Sequence, residues 1–415
     1  MNFVDPVLQQ ISKMTPADVM LADVAVRIQL SPTDYQRAVQ RYKSMNEWLD
    51  REDSALHGLV ENFYAQGGFA IGATTARHSH DEDFDIDAMA QLALSPKVDP
   101  ETALALLHKS IKGEKGSRYY HMAERKTRCS TVNYTGMHLD VTPCVRIAGL
   151  SEKSSFIFHS KPENPHEPKL TLFANPYGFA EWFKTMTPTD TAFGQFFESR
   201  SLDYERGRMS LLAEDAEPVP DQLPAYRKSV AVIGLQLRKR WRCLAYDKRH
   251  PKLRRPPSVL LSYYTAANAN RTQSLTDELI YQSECLISDL ENAGARGRTI
   301  HIVNPACSQD ILTDRWPANV AEQQTFVNEL RGFVAAMRKL KQGLSLPDMQ
   351  RVLEELFGER AGRDAVNKYI NQHAEDRSAG RGFHIPKIGA VPAAGAAFMT
   401  SRTARATPGN TFFGE

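Results

Sequence analysis

The chain has 415 residues, 42% of them hydrophobic and 24% charged, long enough for two domains with separate cores. Its 51 Lys and Arg against 49 Asp and Glu leave a net charge of +2, so no global field draws it onto nucleic acid or a membrane surface. Five scattered cysteines, odd in number and never in Cys-x-x-Cys spacing, speak against both a disulfide framework and a zinc site.

Met1-Asn-Phe-Val-Asp-Pro6 has neither a basic n-region nor an apolar h-region, and no apolar run approaches the roughly 18 residues of a spanning helix. The expectation is a soluble, cytoplasmic protein. Ser31-Pro32-Thr33-Asp34 supplies a capping hydroxyl, a first-turn proline and an acid at the positive helix end. Tyr35, Ala38, Val39, Tyr42, Met45, Trp48 and Leu49 follow at helical spacing, and Leu56, Leu59, Val60 and Phe63 continue that pattern toward Gly67-Gly68. Two adjacent glycines stop regular structure and allow close backbone approach to something bulky.

The run Asp83-Phe84-Asp85-Ile86-Asp87 alternates as a strand does, with Phe84, Ile86 and Ala88 on one side and Asp85 and Asp87 on the other. Those two carboxylates lie about 7 Å apart along the strand. Like charges so close repel unless cations neutralise them, and Mg²⁺ favours such an oxygen site. Taken by itself, the run reads first as a solvated acidic face. Asp83 shares the parity but lies where a polar loop enters the strand, and His78 and His80 belong to that loop. Asp99-Pro100-Glu101 opens a further helix. Two strands, 129–134 and 137–145, are joined through Thr135-Gly136 as a hairpin. In the second strand Leu139 and Val141 point one way and His138, Asp140 and Thr142 the other. If that strand lies beside the acidic one, Asp140 completes a carboxylate triad.

From about residue 155 the chain is rich in Pro, Phe and Glu with few clear strands, and then helices dominate. Tyr226, Val230, Ile233, Leu237, Trp241 and Leu244 form one apolar stripe; Pro256-Pro257-Ser258 starts another helix; 323–342 and 347–357 give two more. Residues 238–255 hold nine Lys or Arg against Asp247 alone, which reads as a solvated helix end or as a phosphate or RNA contact. Tyr263-Tyr264 reads as core or as a base-stacking pair. Beyond Asp376 the composition cannot bury a core, so a flexible tail is expected.

Taken together, Gln66-Gly67-Gly68-Phe69-Ala70-Ile71-Gly72, Asp85-Ile86-Asp87 and Leu139-Asp140-Val141 resemble the DNA polymerase β-like nucleotidyltransferases. The nearer resemblance is to the CD-NTases of bacterial anti-phage (CBASS) signalling, relatives of cyclic GMP-AMP synthase and oligoadenylate synthetase. Leu237-Arg-Lys-Arg-Trp241, Pro257-Ser258-Val-Leu-Leu and Asn304-Pro305 with Asp310 to Trp316 follow in the family's order, so the likeness covers roughly residues 30 to 340. It implies an α+β fold: a mixed twisted sheet with helices, a helical C-terminal lobe, and the active site in the cleft between them. The divisions are 1–155 for the catalytic lobe with its N-terminal helix, 156–376 for the helical nucleotide-binding lobe, and 377–415 for the tail.

The resemblance further implies two divalent ions, Mg²⁺ or Mn²⁺, on Asp85, Asp87 and Asp140, with Asp140 assisting deprotonation of a ribose hydroxyl. Gly67, Gly68 and Lys239, with Arg238 as a further candidate, would hold the triphosphate of ATP, GTP or another NTP. Ser258 would lie near the donor nucleotide, or be merely a helix cap. The family's serine after the first glycine is Gly68 here, which leaves Thr74 or Thr75 to supply a hydroxyl. The product would be a cyclic di- or trinucleotide messenger acting on a downstream effector, made by a monomer. The ending Phe412-Phe413-Gly414-Glu415 looks like a peptide conjugated by ubiquitin-transfer-like E1 and E2 enzymes; a merely disordered terminus is the other reading. A transferase acting on RNA ends and a catalytically silent nucleotide sensor are the alternatives.

Overall fold

The computed structural model describes residues 14–76, 84–150, 153–161, 163–164, 166–211, 229–270 and 274–378, and three strand pieces at 383–385, 389–391 and 405–406. The first half runs α1 (Pro16–Ile28), α2 (Pro32–Leu49), β1 (Val60–Gln66), the single turn α3 (Gly67–Ala70), β2 (Phe84–Leu92) and α4 (Pro100–Lys112). Then come β3 (Ala123–Arg125), β4 (Ser130–Tyr134), β5 (Met137–Arg146), β6 (Ser155–His159) and β7 (Leu170–Ala174). The helical half runs α5 (Pro176–Met186), α6 (Thr191–Leu211), α7 (Val230–Arg249), α8 (Ser258–Ala267) and α9 (Leu275–Ala295). It closes with β8 (Val303–Asn304), β9 (Cys307–Ile311), α10 (Val320–Gln342), α11 (Leu346–Phe357) and α12 (Glu359–Ser378).

One mixed sheet organises the first half. Its order is β1-β2-β5-β4-β3, with β6 on the far part of β5 and β7 on β6. The β4–β5 hairpin turns through Thr135-Gly136, where Gly136 takes φ +79, a conformation a two-residue hairpin turn requires. β2 and β5 are the one parallel pair among these strands, and their register sets Asp87 opposite Asp140 and Asp85 opposite His138. Alternation does the rest. Phe84, Ile86, Ala88, Leu139 and Val141 bury under α2 and α4 together with Met45, Leu49, Leu107 and Ile111, which leaves the acids on the other face.

A second core is helical, built from α1 and α5 through α12 around Trp241, Phe326, Phe333 and Leu279. α1 belongs to it rather than to the sheet: Met20, Leu21, Val24 and Ala25 are fully buried there. A capping box starts α1, with Thr15 N–H donating to Asp18 Oδ2 at 2.7 Å and Asp18 N–H returning to Thr15 Oγ1 at 3.3 Å. The other Asp18 oxygen accepts from Thr276 N–H at 2.8 Å, so the starts of α1 and α9 share one cap.

Three sequence expectations are altered by these contacts. The helical pattern does not continue through Leu56 to Phe63: the helix stops at Leu49, and Val60–Gln66 is a strand antiparallel to β2. Spacing of three and four fits a helix, but the exposed edge of β2 offers Val60, Phe63 and Tyr64 a ladder that outweighs local preference. The mixed sheet continues from residue 155 through β6 and β7, which have little alternation to announce them. Arg238, a triphosphate candidate, is instead fully buried, donating to Thr265 and Gln282 and offsetting Glu278 inside the helical core. His78, His80, Asp83, Gly414 and Glu415 lie outside the described residues. Among the described residues no helix is long and apolar enough to cross a membrane.

Candidate active site

The sheet brings the three aspartates to one face. Asp85 is exposed, while Asp87 and Asp140 are half-buried neighbours on adjacent strands, a separation of about 4.8 Å between strand axes. Burial first, then the charges of Asp140 and Asp85, push the Asp87 carboxyl up to about 7, with Lys239 pulling the other way. Burial also raises Asp140, helped by Asp85 and opposed by a hydrogen bond from Thr131 Oγ1 at 2.5 Å. Among the described residues no three His, Cys, Asp or Glu side chains are gathered closely enough to hold an ion as they stand. The donors nonetheless suit a hard cation: they are all carboxylate oxygens, and their mutual repulsion is what a bound cation would relieve.

Gly67 joins these acids to the double-glycine turn. It follows Gln66, which pairs with Asp87 across β1 and β2. Gly67 has φ +58, and a Cβ there would collide with the Asp87 carboxylate. Behind the turn, α7 presents two polar side chains one helical turn apart. Gln236 Nε2 donates to the Gly72 carbonyl at 3.2 Å, and Lys239 Nζ to the Ala73 carbonyl at 2.7 Å. A Cβ on Gly68 would lie 2.9 Å from Lys239 Nζ and 3.4 Å from Thr74 Oγ1. The Thr74 hydroxyl is buried with no partner among the described residues, so of the two threonines it is the one beside Gly68. Burial, then Arg242, lowers Lys239 to about 8, while Cys243, Asp87 and Asp85 draw it back up.

A cleft of about 310 Å³ is lined by Gly67, Gly68, Lys239 and Ser258, with Arg128 and Asp314 also on its wall. Ser258 is the first residue of α8, and no side chain caps that helix. Its hydroxyl is therefore not the cap that sequence offered as one reading. At the start of α5, Asn304 Nδ2 donates to the Asn175 carbonyl and to Asp310 Oδ2, each at 2.8 Å, and Asp310 also accepts from Asn175 N–H. That knot fixes the Asn304–Trp316 segment against the start of α5. Tyr264 is core, its hydroxyl donating to Asp289 at 2.6 Å, and Tyr263 stacks on Trp182 at 5.6 Å. A second cavity, about 410 Å³, is lined by Leu30, Tyr35, Phe69 and Phe183, with no acid on its wall among the described residues.

Two residues of this constellation were not picked out from the sequence. Thr131 was within reach: a hairpin closing at Thr135-Gly136 puts position 131 opposite 140. Gln236 also left a trace, as an amide inside the apolar stretch Val232, Ile233, Leu235 and Leu237. Thr131→Val should raise the proton affinity of Asp140 further, because a hydrogen bond that favours its charged form is lost. The acid limb of the pH–rate profile should therefore move to higher pH. An unmoved limb would mean that Asp140 does not govern it.

Comparison with known proteins settles the family. Residues 14–162 match the Second Messenger Oligonucleotide or Dinucleotide Synthetase domain, SMODS. The cyclic dinucleotide synthase CdnG of Bradyrhizobium diazoefficiens is 33% identical over 385 residues, 91% of this chain and 90% of that one. The chain belongs to the CD-NTase family. The structure of B. diazoefficiens CdnG in complex with GTP superposes with a TM-score of 0.73 at 32% identity, covering 86% of this chain and 100% of that one. Escherichia coli MS115-1 CdnC in its HORMA-deltaN complex shares the fold alone, with a TM-score of 0.52 at 14% identity over 80% of this chain and 93% of that one. As a CD-NTase the chain is a nucleotidyltransferase with the polymerase β-like fold, a mixed sheet facing a helical lobe.

Proposed function

We infer that this CD-NTase joins nucleoside triphosphates into a cyclic di- or trinucleotide messenger, releasing pyrophosphate, in bacterial anti-phage defence. The observation that carries the reading is the parallel register of β2 and β5, which sets Asp87 against Asp140 with Gly67 packed onto Asp87. Support for the product class comes from the cyclic dinucleotide synthase related over nine-tenths of the chain. The messenger would act on a separate effector. Gly414 or Glu415 would be the point of attachment for a ubiquitin-transfer-like partner, a proposal that fails if mass spectrometry after co-expression with such enzymes finds no adduct there.

In each transfer, a ribose hydroxyl oxygen of the acceptor bonds to the α-phosphorus of the donor and the bridging oxygen leaves with pyrophosphate. The hydroxyl proton passes to Asp140, whose raised proton affinity suits a base. The N–H groups of Gly67 and Gly68 and the ammonium of Lys239 hold the donor triphosphate. Asp85, Asp87 and Asp140 would hold Mg²⁺ or Mn²⁺, two ions in all, which lower the hydroxyl pKa and neutralise charge at the α-phosphate and leaving group. A second transfer with the linear intermediate reversed closes the ring.

Lys239 gives this reading a pH signature. Its ammonium loses its proton near pH 8, so donor binding should weaken as pH rises through that value. Lys239→Met should raise KM for NTP by roughly 10- to 100-fold, the loss of one charge-assisted contact, and should remove that pH dependence. Steady-state kinetics between pH 6.5 and 9.5 check both. The product itself decides the function: incubate with all four NTPs and Mg²⁺ or Mn²⁺, treat with phosphatase, and analyse by mass spectrometry. A phosphatase-resistant cyclic oligonucleotide is the expected result. Extended RNA ends would replace it with a tailing reaction, and no product at all with a nucleotide sensor.

A further inference from the structure

Guanidinium groups from three loops and both lobes lie within electrostatic reach of one another, and one of them, Arg128, lines the cleft beside Asp314. Arg128 sits on the β3–β4 loop, Arg254 on the segment between α7 and α8, and Arg315 on the turn after β9. They are close enough to act on one another: after burial, Arg128 and then Arg254 depress the proton affinity of Arg315. Arg128 and Arg315 do the same to His159. Two carboxylates face this group. Asp310 is committed to Asn175 and Asn304. Asp314 takes Arg128 in an ion pair across the lobes, and Arg128 Nε also donates to His159 Nδ1 at 3.2 Å. Arg254 and Arg315 are exposed and have no hydrogen-bond or ion-pair partner among the described residues. The other arginines of the basic run differ: Arg238 donates to Thr265 and Gln282, Arg240 and Arg242 donate to backbone carbonyls, Arg249 is tied to Glu329, and Arg255 to Asp247.

This cluster stands at the Asp140 end of the acid row. Cys129, next to Arg128, lies in the fields of Asp140 and Asp87 as well as influencing Arg315, and Thr131 on the same hairpin bonds Asp140. Lys239 and the glycine turn meet the row at Asp87. An enzyme that joins two triphosphates consumes the donor's polyphosphate but leaves the acceptor's 5′-triphosphate intact, and that charge needs a place away from the glycine turn. Guanidinium forks match phosphate oxygens in pairs, and repelling cations gain from an anion between them. We propose that Arg128, Arg254 and Arg315 form a second polyphosphate subsite that holds the 5′-triphosphate of the acceptor nucleotide, the Arg128–Asp314 pair opening to admit it. This rests on the transfer reaction proposed above.

The test offers a 2′,3′-dideoxy-NTP, which can act only as donor, together with either an NTP acceptor or the same nucleoside without phosphates. The wild-type protein should prefer the triphosphate acceptor by about tenfold or more in kcat/KM, the worth of one or more charge-assisted contacts. Arg254→Ala with Arg315→Ala should bring that ratio close to one, and the paired Lys substitutions should restore part of it. A wild-type ratio near one, or a preference that survives the double substitution, overturns the subsite. So does a double variant that keeps the ratio but loses binding to an RNA oligonucleotide, which would make the patch an RNA contact. If the wild-type protein transfers to no acceptor, the proposed reaction itself fails. The subsite is then judged on metal-free titration of tripolyphosphate in a Lys239→Ala background, where loss of binding on adding the two Ala substitutions supports it and unchanged binding refutes it.

Discussion

Asp87→Asn is expected to abolish nucleotide transfer while making the metal-free protein more stable. The two effects share one cause. Asp87 stands beside Asp140 on a parallel strand, and its carboxyl is pushed up to about 7 by burial and by the charges of Asp140 and Asp85. Its folded proton affinity is higher than its unfolded one, so ionisation costs stability: fully above pH 7, progressively less as pH falls toward 4, and not at all below that. The metal-free protein should therefore gain stability from this group on mild acidification, and the Asn variant should lack that slope. At pH 8 in EDTA the variant should melt higher, by roughly 2–4 °C for each kcal/mol of repulsion relieved. With Mg²⁺ present the ranking should reverse, because only the wild-type protein retains the charge that attracts the ion. Transfer should fall by at least about 1,000-fold, since several kcal/mol of charge stabilisation are lost. Retained activity would remove Asp87 from the site, and equal melting in EDTA would mean that the acids do not repel.

Much of this arrangement was legible because strand chemistry is periodic. Asp85 and Asp87 betray their shared face by alternating with Phe84 and Ile86, and Asp140 does so between Leu139 and Val141. What alternation cannot convey is which strand lies beside which. The β2–β5 register joins residues more than fifty positions apart, and the parallel pairing that sets Asp87 against Asp140 has no local marker. The same limit explains β1: Val60, Phe63 and Tyr64 satisfy a helical spacing, and only the edge of β2 makes them a strand. Positive charge was legible in number but not in place. Within Leu237-Arg-Lys-Arg-Trp241, Arg238 turns into the core, Lys239 reaches the glycine turn, and Arg240 donates to the Phe357 carbonyl. Successive positions on a helix point about 100° apart, so three adjacent cations cannot share one ligand.

Gly67→Ala should be far more damaging than Gly68→Ala, although position 68 is where the sequence departs from the family's usual serine. At Gly67 two costs coincide. The residue has φ +58, where any L side chain costs roughly 1–2 kcal/mol, and the new Cβ would occupy the space of the Asp87 carboxylate. Asp87 cannot withdraw by backbone movement, because it is held between β1 and β5 in a buried part of the sheet. Either the turn lifts away from the acids or the carboxylate rotates off the face it shares with Asp85 and Asp140, and both should lower kcat by at least about 100-fold. At Gly68 the nearest atom to a new Cβ is Lys239 Nζ at 2.9 Å, the far end of a flexible side chain. Moving it strains only its bond to the Ala73 carbonyl. Gly68→Ala should therefore act on donor binding, raising KM by about tenfold or less, the cost of one weakened contact, with kcat nearly preserved. Gly68→Ser brings the same Cβ but adds a hydroxyl toward Thr74 Oγ1, and should bind donor better than Gly68→Ala. Steady-state kinetics of the three variants separate kcat from KM. Equal losses at 67 and 68, or a kcat effect confined to 68, would show that Gly67 does not set the position of Asp87.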